Sequence, residues 1–69
     1  MPNIVHELIV ELARVQAMFP QLDVTLLREA QNLLRFGRQS MALNNYEDMR
    51  EALDDLKAFG RPPEPDQEA

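Results

Sequence analysis

Residues 44–60 read NNYEDMREALDDLKAFG and carry the signals for both ends of a helix. Asn45 is a typical N-cap residue, and Asp48 follows it at the spacing of a capping box. Apolar residues then recur at i, i+3, i+4 and i+7, which predicts one buried face. That face consists of Tyr46, Met49, Ala52, Leu53, Leu56 and Phe59. Gly60 stands where a left-handed residue ends many helices, so the stretch predicts a helix over about residues 46–59.

The preceding segment predicts a longer helix. Asp23 is its candidate N-cap, and the helical pattern continues to about Leu43. Its apolar face comprises Leu26, Leu27, Ala30, Leu33, Leu34 and Met41. Gly37 lies in this face, and a helical glycine costs about 1 kcal/mol relative to alanine, so we expect a close helix contact there. The link to the next helix is so short that the two must form an antiparallel hairpin, from about Val24 to Phe59.

The N-terminal segment predicts a third helix that packs across this hairpin. It runs from about Ile4 to Phe19, with Asn3 as its N-cap and Pro20 as its stop. One face of the helix is apolar and is formed by Ile4, Val5, Leu8, Leu12, Val15 and Phe19. On the other side of the helix lie the polar residues Glu7, Glu11 and Arg14.

These segments predict an all-α fold with one three-helix domain over residues 1–60. Residues 61–69 contain three prolines, three carboxylates and no large apolar residue, so we expect an acidic, Pro-rich, disordered tail. A chain of 69 residues has room for one domain only and is marginally stable. Cysteine is absent, which excludes disulfides, a thiolate zinc site and a cysteine nucleophile.

The charge balance restricts the classes of partner that the protein is expected to bind. Twelve acidic residues against seven basic ones give a net charge of −5, which argues against nucleic acid and against anionic membranes. The longest apolar run, residues 8–10, is far shorter than the ~20 residues that span a bilayer. The N-terminus lacks the positive region of a secretory signal, so we expect a cytoplasmic protein.

No residue pattern predicts catalysis, a cofactor or a metal site. His6 is the single histidine, whereas zinc needs three or four converging ligands. The clustered carboxylates of the last helix are expected on a solvated face, which offers no desolvated cleft for acid–base catalysis. These carboxylates are Glu47, Asp48, Glu51, Asp54 and Asp55. We therefore expect no enzymatic activity and no small-molecule substrate.

Five residues are candidates for contacting a partner. Ile9 and Val10 flank the apolar face of the first helix, and Phe36 points away from that of the second. Together they predict apolar surface that is covered by a partner or, alternatively, by the tail or an unusual helix crossing. Arg28 and Arg35 align seven residues apart on the second helix, with Arg38 nearby. These arginines either pair with the acidic last helix, in the same molecule or in another copy, or contact nucleic acid.

The preferred interpretation is a non-enzymatic helical module for protein–protein interaction, such as a chaperone-lid-like appendage or a small adaptor. Its partner is another protein or a second copy, and we expect a homodimer that buries Ile9 and Val10, because a short chain without disulfides has little stability to spare. The alternative is a small helical regulator that contacts nucleic acid through Arg28, Arg35 and Arg38. Salt-dependent binding to a generic duplex distinguishes the two.

Three stretches resemble the C-terminal helical lid of DnaK-type heat-shock chaperones. They are residues 27–34 (LREAQNLL), 42–46 (ALNNY) and 49–56 (MREALDDL), which together match the lid's long helix, polar turn and second helix. The resemblance covers about half of the chain and implies a lid or an appendage for protein contacts, without the nucleotide-binding and substrate domains. The ending at residues 65–69, PDQEA, lacks the Glu-Glu-Val-Asp motif of the eukaryotic cytosolic members, so that co-chaperone contact does not carry over.

A tetratricopeptide hairpin is the competing resemblance. Tyr46 and Ala52 loosely match the aromatic and small positions of that repeat. Solenoids need about three repeats for stability, and only one hairpin fits this chain, so the lid resemblance is preferred.

Overall fold

The computed structural model describes residues 3–60 and contains three α-helices. They are α1 (Ile4–Ala17), α2 (Val24–Ala42) and α3 (Tyr46–Ala58), and a 3₁₀ turn over Phe19–Gln21 follows α1. Each helix packs against the other two, and no strand occurs in this part of the chain. The all-α, three-helix fold is therefore confirmed, while the predictions for residues 61–69 lie outside the described residues.

All three predicted N-caps are confirmed. The side-chain oxygen of Asn3 accepts a hydrogen bond from the Val5 amide at 2.9 Å. Asp23 and Asn45 cap α2 and α3 in the same way, with donor–acceptor distances of 2.9 and 3.1 Å. Each bond satisfies an amide that the first turn of a helix leaves without a partner.

The turn between α2 and α3 is a Schellman motif. Asn44 has a positive φ of 53°, the left-handed conformation that asparagine tolerates better than most residues. Its amide donates to the Met41 carbonyl at 3.1 Å, and the Asn45 amide donates to the Ser40 carbonyl at 2.9 Å. The same Asn45 then caps α3, so two residues end one helix and begin the next.

Helix α1 is shorter than predicted. It ends at Ala17, and Met18 and the 3₁₀ turn over Phe19–Gln21 follow it, whereas the sequence predicted a helix to Phe19. Pro20 explains the difference, because proline disfavours the α-helical conformation of the residue before it. Gly60, in contrast, has the predicted positive φ, at 73°.

The core lies where the three helices meet. Its buried apolar residues are Leu8, Leu12, Val15, Ala30, Leu34, Met49, Ala52, Leu53, Leu56 and Phe59. Gly37 is also buried, and a Cβ atom at this position would stand 3.0 Å from Leu12 Cδ2. The close contact expected at this glycine is therefore present.

Three residues of the predicted apolar faces are exposed instead. Val5 lies at the margin of the α1 face, with 37% of its surface accessible. Leu26 is 42% exposed because α2 has 19 residues and α3 only 13, so the first turns of α2 extend beyond its antiparallel neighbour. Tyr46 is the first residue of α3 and is 60% exposed. It lies at the opposite end of the helix from the Leu56 carbonyl that Arg14 contacts.

Candidate functional site

Helix α1 turns its charged side chains inward, toward α3. Glu7, Glu11 and Arg14 are half-buried, although the sequence suggested a polar face away from the core. The Glu7 carboxylate lies 3.7 Å from Lys57 Nζ on α3, and the Glu11 carboxylate pairs with Arg14 Nε at 2.8 Å. The three charged side chains of α1 therefore form ion pairs within the molecule.

Arg14 caps the C-terminus of α3 from a neighbouring helix. Its Nη2 donates to the backbone carbonyls of Leu56 and Phe59, the latter at 3.2 Å. These carbonyls lie at the negative end of the helix dipole, where a guanidinium is stabilising. Glu11 pairs with the same guanidinium. The side of α1 that faces α3 is therefore bound to it through polar contacts.

The opposite side of α1 is exposed and uncharged, and we call it the α1 outer face. It comprises all the exposed residues of the helix, and none of them carries a formal charge when His6 is neutral. They are Val5, His6, Ile9, Val10, Ala13, Gln16 and Ala17. A surface helix normally turns charged residues toward solvent, whereas α1 exposes none, although it buries Leu8, Leu12 and Val15 in the core as expected. The solvent-facing side of α1 is therefore more apolar than a surface helix requires.

Ile9 and Val10 form the centre of the apolar area on this face. Their exposed fractions are 51% and 50%, so the predicted exposure of both residues is confirmed. Large apolar residues scattered singly over a surface are ordinary, but here they adjoin Ala13 and Ala17 on one helix. The outer surface of α3 differs, because Glu47, Arg50, Glu51, Asp54, Asp55 and Lys57 are exposed there.

Phe36 does not join this surface. The sequence predicted that it points away from the core, but the ring is half-buried and packs against the core cluster. The helices cross so that the core covers this flank of α2 as well, which a helical wheel of α2 alone cannot show. The surface role predicted for Phe36 therefore lacks the exposure on which it was based.

The arginines of α2 are exposed, as predicted. Arg35 donates to Asn32 at 3.2 Å, and Arg38 donates to Gln16 of α1 at 3.3 Å. Within residues 3–60, Arg28 and Arg35 form no ion pair with α3, so the intramolecular pairing considered from the sequence is absent there. An open groove between α1 and α2 is lined by Gln16, Phe19, Gln31, Leu34, Arg35 and Arg38.

Metal ligands do not converge in the part of the chain that the structure describes. Over residues 3–60, no group of three or more histidines or carboxylates is arranged to hold an ion. His6 is exposed on the α1 outer face. In the same range, none of the helices has both the length and the hydrophobicity to cross a membrane.

Sequence reasoning missed two parts of this surface. Ala13 and Ala17 are not among the predicted contact residues, yet they extend the area around Ile9 and Val10. The role of Arg14 was missed because its acceptors are 42 and 45 residues away in the chain. A helical wheel shows where the alanines lie, whereas no local sequence pattern indicates the role of the arginine.

No protein-family model matches the chain, and no curated protein or solved structure is significantly similar to it.

Proposed function

We propose that this protein is a non-enzymatic helical module for protein–protein interaction, and that the α1 outer face is its binding surface. The observation that carries the proposal is the exposed face of α1, which holds Ile9, Val10 and two alanines while the charged residues of the helix lie toward α3. A cytoplasmic location and a role as an adaptor or a chaperone-lid-like appendage belong to the same proposal and rest on the sequence.

The energetics of the face support this function. Ile9 and Val10 are about half exposed, so covering each of them completely would contribute about 1 kcal/mol from apolar burial. Neither residue supports the core, and each weakens the isolated helix slightly because β-branched residues are less helix-prone than glutamate or lysine. Such residues on an outer face are best explained by a partner that removes them from water.

Val10→Glu tests the proposal, and Val24→Glu is its matched control. Val24 is 74% exposed at the start of α2, so the control makes the same chemical change on a different surface. The wild-type chain and both variants are immobilised, and the proteins that each one captures from cell extract are quantified. We expect Val10→Glu to lose partners that the wild type and Val24→Glu retain.

Equal capture by all three proteins would contradict the assignment of this surface. Circular dichroism melts at low protein concentration accompany the experiment, because the comparison requires folded variants. Both substitutions place glutamate at exposed helical positions, where it is at least as favourable as valine. Loss of capture without loss of fold therefore reports on the face itself.

A nucleic-acid regulator is the second candidate, and the exposure of Arg28, Arg35 and Arg38 on one helix favours it. Its test is binding to a generic DNA duplex at several salt concentrations. A regulator binds at micromolar concentration, with an affinity that falls steeply with salt. Replacing the three arginines with glutamine would then abolish binding, whereas the proposed interaction module shows no such binding from the start.

A further inference from the structure

We infer that the groove between α1 and α2 binds an acidic, proline-rich segment, and that its occupant is residues 61–69 of the same chain. The contact is intramolecular and covers Arg35 and Arg38. It is distinct from the proposed function, because it involves neither Ile9 nor Val10. The charges of the groove, the place where α3 ends and the composition of residues 61–69 support it.

The groove is a basic site on an acidic molecule. Arg35 and Arg38 line it together with two glutamines, and none of its lining residues is a carboxylate. Arg35 donates to Asn32 and Arg38 to Gln16, which are both neutral acceptors. Neither arginine forms an ion pair within residues 3–60, although the chain carries a net charge of −5. Carboxylates are the groups that such guanidinium donors bind most strongly in proteins.

The other flank of α2 has the opposite charge. A second groove lies between α2 and α3, and its lining includes the carboxylates of Glu29 and Asp55. An acidic segment is repelled by these carboxylates and attracted by the arginines on the α1 side. Of these two grooves, the one between α1 and α2 is therefore the acceptor for an acidic segment.

The basic groove also offers apolar contacts. Phe19 is half-buried, Leu34 is buried, and the groove has a volume of about 420 Å³. Grooves lined by an aromatic ring bind proline-rich segments, which are already extended and lose little entropy on binding. A segment that combines prolines with carboxylates suits both the apolar residues and the arginines.

Helix α3 ends beside this groove. A Cβ atom at Gly60 would stand 2.5 Å from Met18 Cε, and Met18 directly precedes Phe19 of the groove lining. Arg14 holds the same end of α3, because it donates to the Phe59 carbonyl. Residues 61–69 therefore begin next to the turn that forms one end of the groove.

The sequence of residues 61–69, RPPEPDQEA, has the composition and the reach that the groove requires. Proline-rich segments extend by about 3.1 Å per residue, so the first three residues span about 9 Å, close to the width of a helix. Glu64, Asp66 and Glu68 then follow at intervals of about 6 Å. Arg35 and Arg38 are about 4.5 Å apart along the helix axis, so two carboxylates reach them together.

The covalent connection strengthens this contact. Exposed ion pairs are individually weak, and two of them would not hold a separate peptide at low concentration. A segment attached beside its site has an effective concentration in the millimolar range. The segment that already begins at the groove is therefore favoured over a free acidic peptide of the same composition.

Paramagnetic relaxation enhancement tests the contact in the full chain. Cysteine is absent, so Gln67→Cys accepts a single nitroxide label. We expect this label to attenuate the amide signals of Gln31 and Arg35 more than those of Asp54 and Lys57, although the latter are nearer to the label in sequence. A segment that does not enter the groove would give the reverse order.

Substitutions in the labelled chain identify the groups responsible. Arg35→Gln and Arg38→Gln should each restore the Gln31 signal, whereas Arg50→Gln is the matched control and should leave it attenuated. Arg50 is exposed on α3, outside the groove, and its replacement removes the same charge. About 1 M salt, at which the screening length is about 3 Å, should also restore the signal.

Three results would overturn the inference. The first is attenuation that Arg35→Gln leaves unchanged. The second is equal attenuation in isotope-labelled wild-type chain mixed with spin-labelled chain, because the segment would then occupy the groove of another copy. The third is a DNA duplex that binds the wild type as tightly as a variant with Glu64→Gln, Asp66→Asn and Glu68→Gln, which would show that the segment does not cover the arginines. Each of these results leaves the proposed function intact, since capture through Val10 is measured separately.

Discussion

At the scale of single residues, Gly37 shows how closely the helices approach. A Cβ atom here would meet Leu12 Cδ2 at 3.0 Å, and Leu8 and Leu56 at 3.7 Å each. Only the Leu12 contact is tighter than ordinary van der Waals packing, and it involves the end of a flexible side chain. A Cβ atom at this position therefore fits if the end of the Leu12 side chain moves by a few tenths of an ångström.

Substitutions at Gly37 should separate packing from helix propensity. We expect Gly37→Ala to change the free energy of unfolding by less than about 1 kcal/mol, because the gain in propensity offsets the displacement of Leu12. Gly37→Leu should lower it by about 1–3 kcal/mol through overpacking. Urea denaturation measures both variants.

A double-mutant cycle provides the control for Gly37. In a Leu12→Ala background the tight contact is gone, so Gly37→Ala should stabilise the chain by close to the full propensity gain of about 1 kcal/mol. A leucine variant as stable as the wild type would show that the helix spacing at Gly37 is not restrictive.

At the scale of elements, the end of α3 depends on α1. Gly60 provides a residue with positive φ after the helix, and the Phe59 amide donates to the Leu56 carbonyl, but a second donor to that carbonyl and the donor to the Phe59 carbonyl come from Arg14. The ion pair between Arg14 and Glu11 holds that donor in place. The short helix α3 is thus capped at one end by its own Asn45 and at the other by a different helix.

Removing the Arg14 cap should destabilise the last turn of α3. We expect Arg14→Met to lower the free energy of unfolding by about 1–2 kcal/mol, a value reduced for the 29% exposure of the side chain. Hydrogen exchange at the last amides of α3 should accelerate. Arg14→Lys should recover little, because an ammonium group lacks the planar fork of guanidinium.

Arg35→Met is the matched control for Arg14. Arg35 is exposed and bonds only to Asn32 on its own helix, so its replacement should change stability by less than about 0.5 kcal/mol. Equal losses in the two variants would contradict a capping role for Arg14, since both remove one positive charge from an acidic chain.

At the scale of the whole molecule, the homodimer expected from the sequence would link stability to concentration. A dimer that forms only from folded chains raises the melting temperature as the concentration increases. We expect a rise of about 5 °C or more between about 5 and 500 μM for the wild type, and no concentration dependence for Val10→Glu. Thermal melts by circular dichroism provide the measurement, and Val24→Glu should behave as the wild type.

Salt should strengthen this association. Two chains with a net charge of −5 repel each other, and the screening length falls to about 8 Å at physiological ionic strength. Dimerisation should therefore tighten between low and physiological salt, which is the opposite sign from nucleic-acid binding. A concentration-independent melting temperature for the wild type would contradict the dimer.

Much of the fold could be predicted from the sequence, because the interactions that determine it are local. The caps at Asn3, Asp23 and Asn45 bond to amides two or three residues away. The turn at Asn44 uses carbonyls of the helix that it ends. Helical periodicity likewise identified most of the core, because the apolar residues that recur along one face of a helix are buried together.

The features that the sequence did not predict depend on how the three helices pack together. Leu26 and Tyr46 belong to apolar faces but lie near helix ends that the neighbouring helices do not cover, whereas Phe36 is off the face and packs against the core. The bonds of Arg14 cross more than forty residues of sequence. The exposure of Ile9 and Val10 could be predicted, because their positions on α1 are set by its 3.6-residue repeat. That the charges of α1 face inward, leaving an uncharged outer surface, depends on where α3 lies, and no local pattern encodes that position.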